Sequence, residues 1–328
     1  MKNILERLQQ FDTLTREESY EIIQKMSKGE YNNSEISAFL FAFNLRDIQV
    51  EEILGFRDAL LSLAIKFNTD FETTDLCGTG GDQKDTFNIS TLASFIVAGS
   101  GIKVTKHGNY GVSSFCGSSN ILESFGYQFT SNETILNKQL EQSNICFLHA
   151  PVFHPAMKNV APIRKELGVK TFFNLLGPIV NPAQPKHQLI GVFSPKVQRL
   201  YQYIHQQSDK SISIVHSMDG YDEISLTSPF KLINKNGERL LNPDDLNMNT
   251  IQQSELTGGK NINDAKSIFH NILSNKGTIA QNNAVLANAG AAIANYKNIT
   301  LLDGIEIAKT SLKSGKALSS FNTLIQKY

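Results

Sequence analysis

The order of patterns along the chain predicts an α/β protein with a small all-helical N-terminal lobe and a larger α/β lobe built on a mostly parallel central sheet. Three observations carry this. Helical periodicity with short breaks runs to about Lys66; from Thr73 short apolar strand runs alternate with helical patterns; and the first strand opens onto a glycine-rich loop that feeds a helix.

The N-terminus, Met1-Lys2-Asn3-Ile4-Leu5-Glu6, interrupts its apolar residues with charges and does not read as a signal peptide. Capping-box patterns run from Thr15 to Glu18 and from Asn32 to Glu35. Leu40, Phe43, Ile53, Leu54, Phe56, Leu60 and Leu63 are the expected core of a helical lobe over residues 1–66. An apolar face among Ile4, Leu5, Leu8, Phe11, Phe39, Leu40 and Phe43 suits either core or subunit contact.

In residues 73–328 the expected strands include Ile102 to Thr105, Ile145 to His149, Gln188 to Phe193 and Ile212 to His216. Ser90 to Ala98 and Val197 to Gln206 read as helices, and the alanine-rich Asn282 to Asn295 as a buried one. Leu232 to Gly258, with its Asn236-Gly237 turn signal, reads as turns and a small β excursion. Pro155 to Gly168 is helix-like and should rejoin the N-terminal helices over about 155–175, bringing Arg164 to a crevice between lobes. Closure of the two lobes is expected to exclude water.

Asp75-Leu76-Cys77-Gly78-Thr79-Gly80-Gly81-Asp82, followed by Asn88-Ile89-Ser90-Thr91, places Cβ-free backbone between a strand and a helix N-terminus. Such amides can turn toward an anion. Gln83 stands where a dinucleotide fingerprint needs its third glycine, and no Gly-Lys-Ser/Thr ending makes a P-loop. A phosphate and Mg²⁺ site is the remaining functional reading, against simple loop punctuation.

Lys106-His107-Gly108-Asn109, then Ser113, Ser114 and Gly117-Ser118-Ser119, form a second polar loop expected after a strand. Neighbouring loops at strand carboxyl ends face one crevice, so both are expected to meet one ligand. Lys106 would offer a point charge and the serines hydroxyls; alone, each of Lys106 and His107 reads more simply as solvated or capping. Asp219-Gly220-Tyr221-Asp222-Glu223 follows another strand. Adjacent carboxylates raise one another's pKa unless a cation intervenes, and phosphate-bound Mg²⁺ suits two of them; an acidic surface turn is the plain alternative.

At 328 residues the chain is long enough for a large core. Lysine plus arginine equal aspartate plus glutamate at 31 each, so no basic field favours nucleic acid or an anionic membrane. Cys77, Cys116 and Cys146 lack metal or disulfide spacing and fit a reducing cytoplasm. No apolar run approaches the roughly 20 residues needed to span a bilayer.

In this order the three constellations resemble the anthranilate phosphoribosyltransferase family, and the match extends further. It includes His154-Pro155-Ala156-Met157-Lys158, Val160 to Gly168, Thr171 to Pro178 and Asn181-Pro182, with Leu14-Thr15-Arg16-Glu17-Glu18 before them and Asn288-Ala289-Gly290-Ala291-Ala292 after. The resemblance implies transfer of a phosphoribosyl group from phosphoribosyl pyrophosphate (PRPP) to the amino group of anthranilate, in tryptophan biosynthesis. It implies that Gly78, Gly81, Asp82, Thr86, Asn88, Ser90, Thr91, Lys106, Asn109, Ser113, Ser114 and Ser118 hold PRPP. Ser90, Asp222 and Glu223 would bind Mg²⁺, and Gly78, Asn109 and Arg164 would face anthranilate. His107 would accept the amine proton or pack on anthranilate. A homodimer through the helical lobe is implied too, with no nucleic-acid or membrane partner.

Two positions depart from the family. Tyr110 stands where arginine is common, and Asn120 where aspartate is common, both beside the expected pyrophosphate loop. Two alternatives share the fold. A pyrimidine nucleoside phosphorylase-like enzyme should lack the Arg164 context and the Asp222-Glu223 pair, and a non-catalytic nucleic-acid-binding relative should carry a basic excess.

Overall fold

The computed structural model describes residues 1–111 and 115–327. Four helices come first: α1 (Lys2–Gln9), α2 (Arg16–Ser27), α3 (Asn33–Ala42) and α4 (Val50–Leu63). Both expected capping boxes form. Thr15 Oγ1 accepts the Glu18 N–H at 3.1 Å while Glu18 accepts that of Thr15 at 2.9 Å, and Asn32 and Glu35 repeat the exchange. Each such cap contributes about 1 kcal/mol.

The chain continues through β1 (Thr73–Gly78), α5 (Ile89–Gly99), β2 (Lys103–Gly108), α6 (Ser118–Ser124), α7 (Glu133–Ser143) and β3 (Ile145–His149). Next come α8 (Ala150–Phe153), a 3₁₀ turn at Pro155–Asn159, α9 (Ala161–Leu167) and two more 3₁₀ turns at Phe172–Leu175 and Gly177–Ile179. Then follow β4 (His187–Gly191), α10 (Pro195–Gln206), β5 (Ser211–Ser217), β6 (Phe230–Asn234) and β7 (Gly237–Leu241). The chain closes with α11 (Ile262–Leu273), α12 (Ile279–Lys297), α13 (Leu301–Lys313) and α14 (Lys316–Lys327).

These elements form two compact units, Met1–Lys66 with Ala150–Gln184, and Phe67–His149 with Pro185–Tyr328. In the helical unit, Phe56 stacks on Phe172 at 4.3 Å between ring centroids, with Phe39 and Phe43 edge-on around them. Full burial of one such ring contributes about 1.5–3 kcal/mol. Phe39, Leu40 and Phe43 are therefore buried core and not available as a subunit face, whereas Phe11, Phe41 and Leu45 are exposed.

The α/β unit holds a seven-stranded sheet in the order β3-β2-β1-β4-β5-β6-β7. The first five strands of the chain pair parallel; β6 and β7 add on antiparallel. The segment expected as a small excursion thus extends the main sheet, because Phe230 and Leu232 are buried and give β6 a core face. Helix α5 is apolar almost all round, from Ile89 to Gly99, and is buried accordingly. Helix α12 packs closely on α13: a Cβ at Gly290 would overlap Ile305. Strand order reverses between β1 and β4, the switch point where open α/β sheets bind ligands. Among the described residues no helix is long and apolar enough to cross a membrane.

Candidate active site

At the switch point Thr79 N–H donates to Gly191 O at 2.9 Å as the chain leaves β1. Gly80 (φ +66) and Gly81 (φ +82) then take left-handed conformations that side chains resist, which turns the loop tightly. Asp82 Oδ1 accepts the Lys84 N–H at 3.2 Å. Two hydrogen bonds tie this loop to the one after β2: Asn88 Nδ2 donates to Cys116 O at 2.8 Å, and Phe115 N–H to Asp85 Oδ1 at 3.2 Å. Both loops expected to meet one ligand are therefore joined.

The acidic turn after β5 closes on them. Gly78 and Gly191 are register partners, and a Cβ on either would overlap Asp222. The family resemblance has Gly78 facing both substrates, and the structure adds a reason of its own for glycine here. Asp222 Oδ2 accepts the Gly80 N–H at 2.7 Å, and Glu223 Oε1 the Ser90 N–H at 2.9 Å. Burial, and then Asp82, push the Asp222 carboxyl up to about 7; burial, Asp222 and Asp82 hold Glu223 well above its ordinary value. Asp219 faces elsewhere, its carboxylate accepting from Thr227 Oγ1 and Ser228 Oγ at 2.6 and 2.7 Å.

Lys106 and His107 correct the sequence expectation. They lie inside β2, not in a loop beyond it, and are 2% and 3% exposed. Pairing with β3, from Val104 opposite Ile145 to Gly108 opposite His149, carries the strand through them. Lys106 Nζ donates to His107 O at 3.0 Å, and its charge counteracts the upward shift of Glu223. His107 N–H donates to Asp75 Oδ1 at 3.2 Å.

The remaining donor candidates spread over the two loops. Asn109 O accepts from Ser119 N–H at 3.1 Å and Ser118 Oγ at 3.3 Å. Thr86 bridges to Thr257, and Thr91 is buried in the first turn of α5. Ser113 and Ser114 lie outside the described residues. Tyr110 directs its hydroxyl to Glu123 at 3.2 Å and its ring edge-on to His149 at 4.9 Å. Asn120 Oδ1 accepts N–H groups from Gly111 and Gly117, at 2.9 and 3.0 Å. Burial pushes the Cys77 and Cys116 thiols up to about 12 and 11, which removes them as nucleophiles.

In the helical unit, Arg164 sits in the last turn of α9. Its Nη2 donates to Asn174 Oδ1 at 3.3 Å and its guanidinium lies 5.1 Å from the Phe173 ring centroid. Burial lowers its pKa to about 10, so it stays charged, and among the described residues no carboxylate pairs with it.

Sequence reasoning missed the supports of the site. In sequence Asp75 is only the start of a motif, and Gly191 only part of a strand. Asn288, 3% exposed in α12, bonds the backbone of Ile224 next to Glu223. A lone amide within an alanine run was the available signal.

The helical bundle domain of a glycosyl transferase family matches residues 2–64, and the a/b domain of that family residues 70–318. The anthranilate phosphoribosyltransferase of Christiangramia forsetii is 53% identical over 325 residues, 99% of this chain and 98% of its own length. Among solved structures, anthranilate phosphoribosyltransferase from Thermus thermophilus matches with a TM-score of 0.91 at 30% identity, over 98% of both chains. The enzyme from Saccharomyces cerevisiae in complex with PRPP and Mg matches with a TM-score of 0.86 at 25% identity, over 95% of this chain and 93% of that one.

Proposed function

Because the chain belongs to the anthranilate phosphoribosyltransferase family and transfers the phosphoribosyl group of PRPP to the amino group of anthranilate in tryptophan biosynthesis, we propose how its own residues divide that work. The observation that carries the division is the meeting of two strand-end loops and a carboxylate pair at the switch point, through Gly80 to Asp222 and Ser90 to Glu223.

The loop from Gly78 through Asp82 to Thr86, with Asn88, Ser90 and Thr91, holds PRPP by amides and hydroxyls at a helix N-terminus. Lys106 holds it from the end of β2, and Asn109 and Ser118 from the residues that follow, together with Ser113 and Ser114. The charge of Lys106 balances phosphate that the carboxylates would otherwise repel. Asp222 and Glu223, with Ser90, are the residues that would hold Mg²⁺. They fit a hard divalent ion: burial and Asp82 raise the pKa of Asp222, burial and then Asp222 raise that of Glu223, and a cation relieves both the burial cost and the repulsion. When bound, Mg²⁺ neutralises negative charge on the departing pyrophosphate.

Gly78, Asn109 and Arg164 receive anthranilate. Arg164, with no carboxylate partner of its own among the described residues, suits two parallel hydrogen bonds to the acceptor's carboxylate. The aromatic amine is neutral at pH 7 and attacks ribose C1 directly once both substrates are aligned, a gain of several kcal/mol; the C1–O bond to pyrophosphate breaks, and the amine proton leaves to pyrophosphate or water. The burial of His107 favours packing in the site over proton acceptance. Exposed Phe11, Phe41 and Leu45 support a homodimer through the helical unit, which light scattering tests, and three free cysteines support a cytoplasmic place.

Anthranilate fluorescence tests the whole reading. It should fall only when protein, PRPP and Mg²⁺ are all present; loss without any one of them, or none at high protein concentration, contradicts it.

A further inference from the structure

We propose that Asn288 is a positioning residue for the Glu223 carboxylate, setting the affinity for Mg²⁺ and PRPP from within α12. The inference rests on the reading of Asp222 and Glu223 as the Mg²⁺ site.

The peptide group joining Glu223 to Ile224 is held at both ends. Its carbonyl, Glu223 O, accepts from Ser217 Oγ at 2.7 Å, and its N–H, on Ile224, donates to Asn288 Oδ1 at 3.0 Å. Asn288 Nδ2 then donates to the carbonyls of Ile224 at 2.9 Å and Ala284 at 2.8 Å. Ser217, the last residue of β5, also accepts the Ser225 N–H at 3.2 Å. With both polar atoms of one peptide taken, its plane cannot rotate, and that plane directs the Glu223 side chain toward the Ser90 N–H.

Helix propensity argues that Asn288 is there for these bonds. In the run Val285 to Ile293 it is the residue that suits a helix interior least apart from Gly290, and a buried amide is costly unless bonded. Every polar atom of its side chain is used, and two of its three bonds go to the residue beside Glu223. A residue that merely packed α12 would not need the amide. Supports one step removed from a metal ligand commonly change metal affinity about 10- to 100-fold.

The test uses the full-length protein with Asn288→Ala and, as a gentler change to the same peptide, Ser217→Ala. PRPP binding is measured by calorimetry over a series of Mg²⁺ concentrations, with thermal melts of the ligand-free proteins and KM for anthranilate alongside. Asn288→Ala should weaken Mg²⁺-dependent PRPP binding about 10- to 100-fold, Ser217→Ala less, both leaving KM for anthranilate unchanged. Unchanged PRPP binding in folded Asn288→Ala overturns the proposal; if that variant does not fold, unchanged binding in Ser217→Ala does so. Asp222→Asn with Glu223→Gln is the reference. If it too binds PRPP with the parent's Mg²⁺ dependence, the metal site itself is wrong and the proposal falls with it; if it alone weakens, only the role of Asn288 falls.

Discussion

Two acidic sites, one in each unit, treat charge in opposite ways. In the helical unit Glu52 is fully buried and saturated: Arg46 pairs with it through Nη1 and Nη2, and the N–H groups of Leu14 and Gln49 each donate at 2.8 Å. In the α/β unit Asp222 and Glu223 each accept one amide, Asp82 raises both and Asp222 raises Glu223, and among the described residues they form no ion pair. A charge that holds a fold together is neutralised by its own chain. The carboxylates proposed for Mg²⁺ are not neutralised in this way, and their raised pKa values record the deficit.

The largest effect should come from breaking the saturated site. Glu52→Ala strands Arg46 and two amides, which should cost about 3–5 kcal/mol of stability, read by denaturant unfolding, with KM values unchanged in the folded fraction. Unchanged stability would mean that the pair is ornamental. Asp222→Asn with Glu223→Gln should do the reverse: turnover at limiting Mg²⁺ should fall about 10²- to 10³-fold, while the ligand-free protein melts no lower than the parent. A large drop in melting temperature would make these carboxylates structural, like Glu52.

Arg164 extends the contrast to a cation without a carboxylate partner among the described residues. Arg164→Ala should raise KM for anthranilate roughly 10- to 100-fold, the worth of one charge-assisted pair, and KM for PRPP much less. Equal increases would remove it from the acceptor site.

The smallest effect is with pH. His149 and His154 are buried in an uncharged state, with pKa values lowered to about 4. Below about pH 6.5 the unfolded chain binds their protons and the folded chain does not, so stability falls as pH drops toward 4, by about 1 kcal/mol each between about pH 7 and 5.5. Asp222, held up to about 7, runs the other way, because the folded chain binds its proton first as pH drops. The Asp222→Asn, Glu223→Gln variant should therefore lose stability with acid more steeply than the parent in thermal melts. A parallel pair of curves would show that Asp222 does not titrate in that range.

Much of the fold is legible in the sequence because its causes are local. The caps at Thr15 and Asn32 depend on side chains three residues apart, and α5 and α12 declare themselves by unbroken apolar or small residues. In sequence β2 ends too early because Lys106 and His107 look like loop residues, and only pairing with β3 makes them strand. The Phe39 and Phe43 face is ambiguous for a similar reason: core and interface use the same residues, and the ring of Phe172, far along the chain, decides for core.

The sequence by itself determined the chemistry available: a Cβ-free loop before a helix, a carboxylate pair and an arginine, in an order that marks the family. Tertiary structure alone decided how that chemistry is poised. Asp222 lies against the Cβ-free ends of β1 and β4, 142 positions beyond the Gly80 amide that it binds, and the Glu223 peptide is held by Asn288, 64 positions beyond Ile224. Periodicity and capping act within a few residues and carry no such information. Burial and proximity, which shift pKa values and fix hydrogen-bond partners, exist only once the sheet has brought strand ends together.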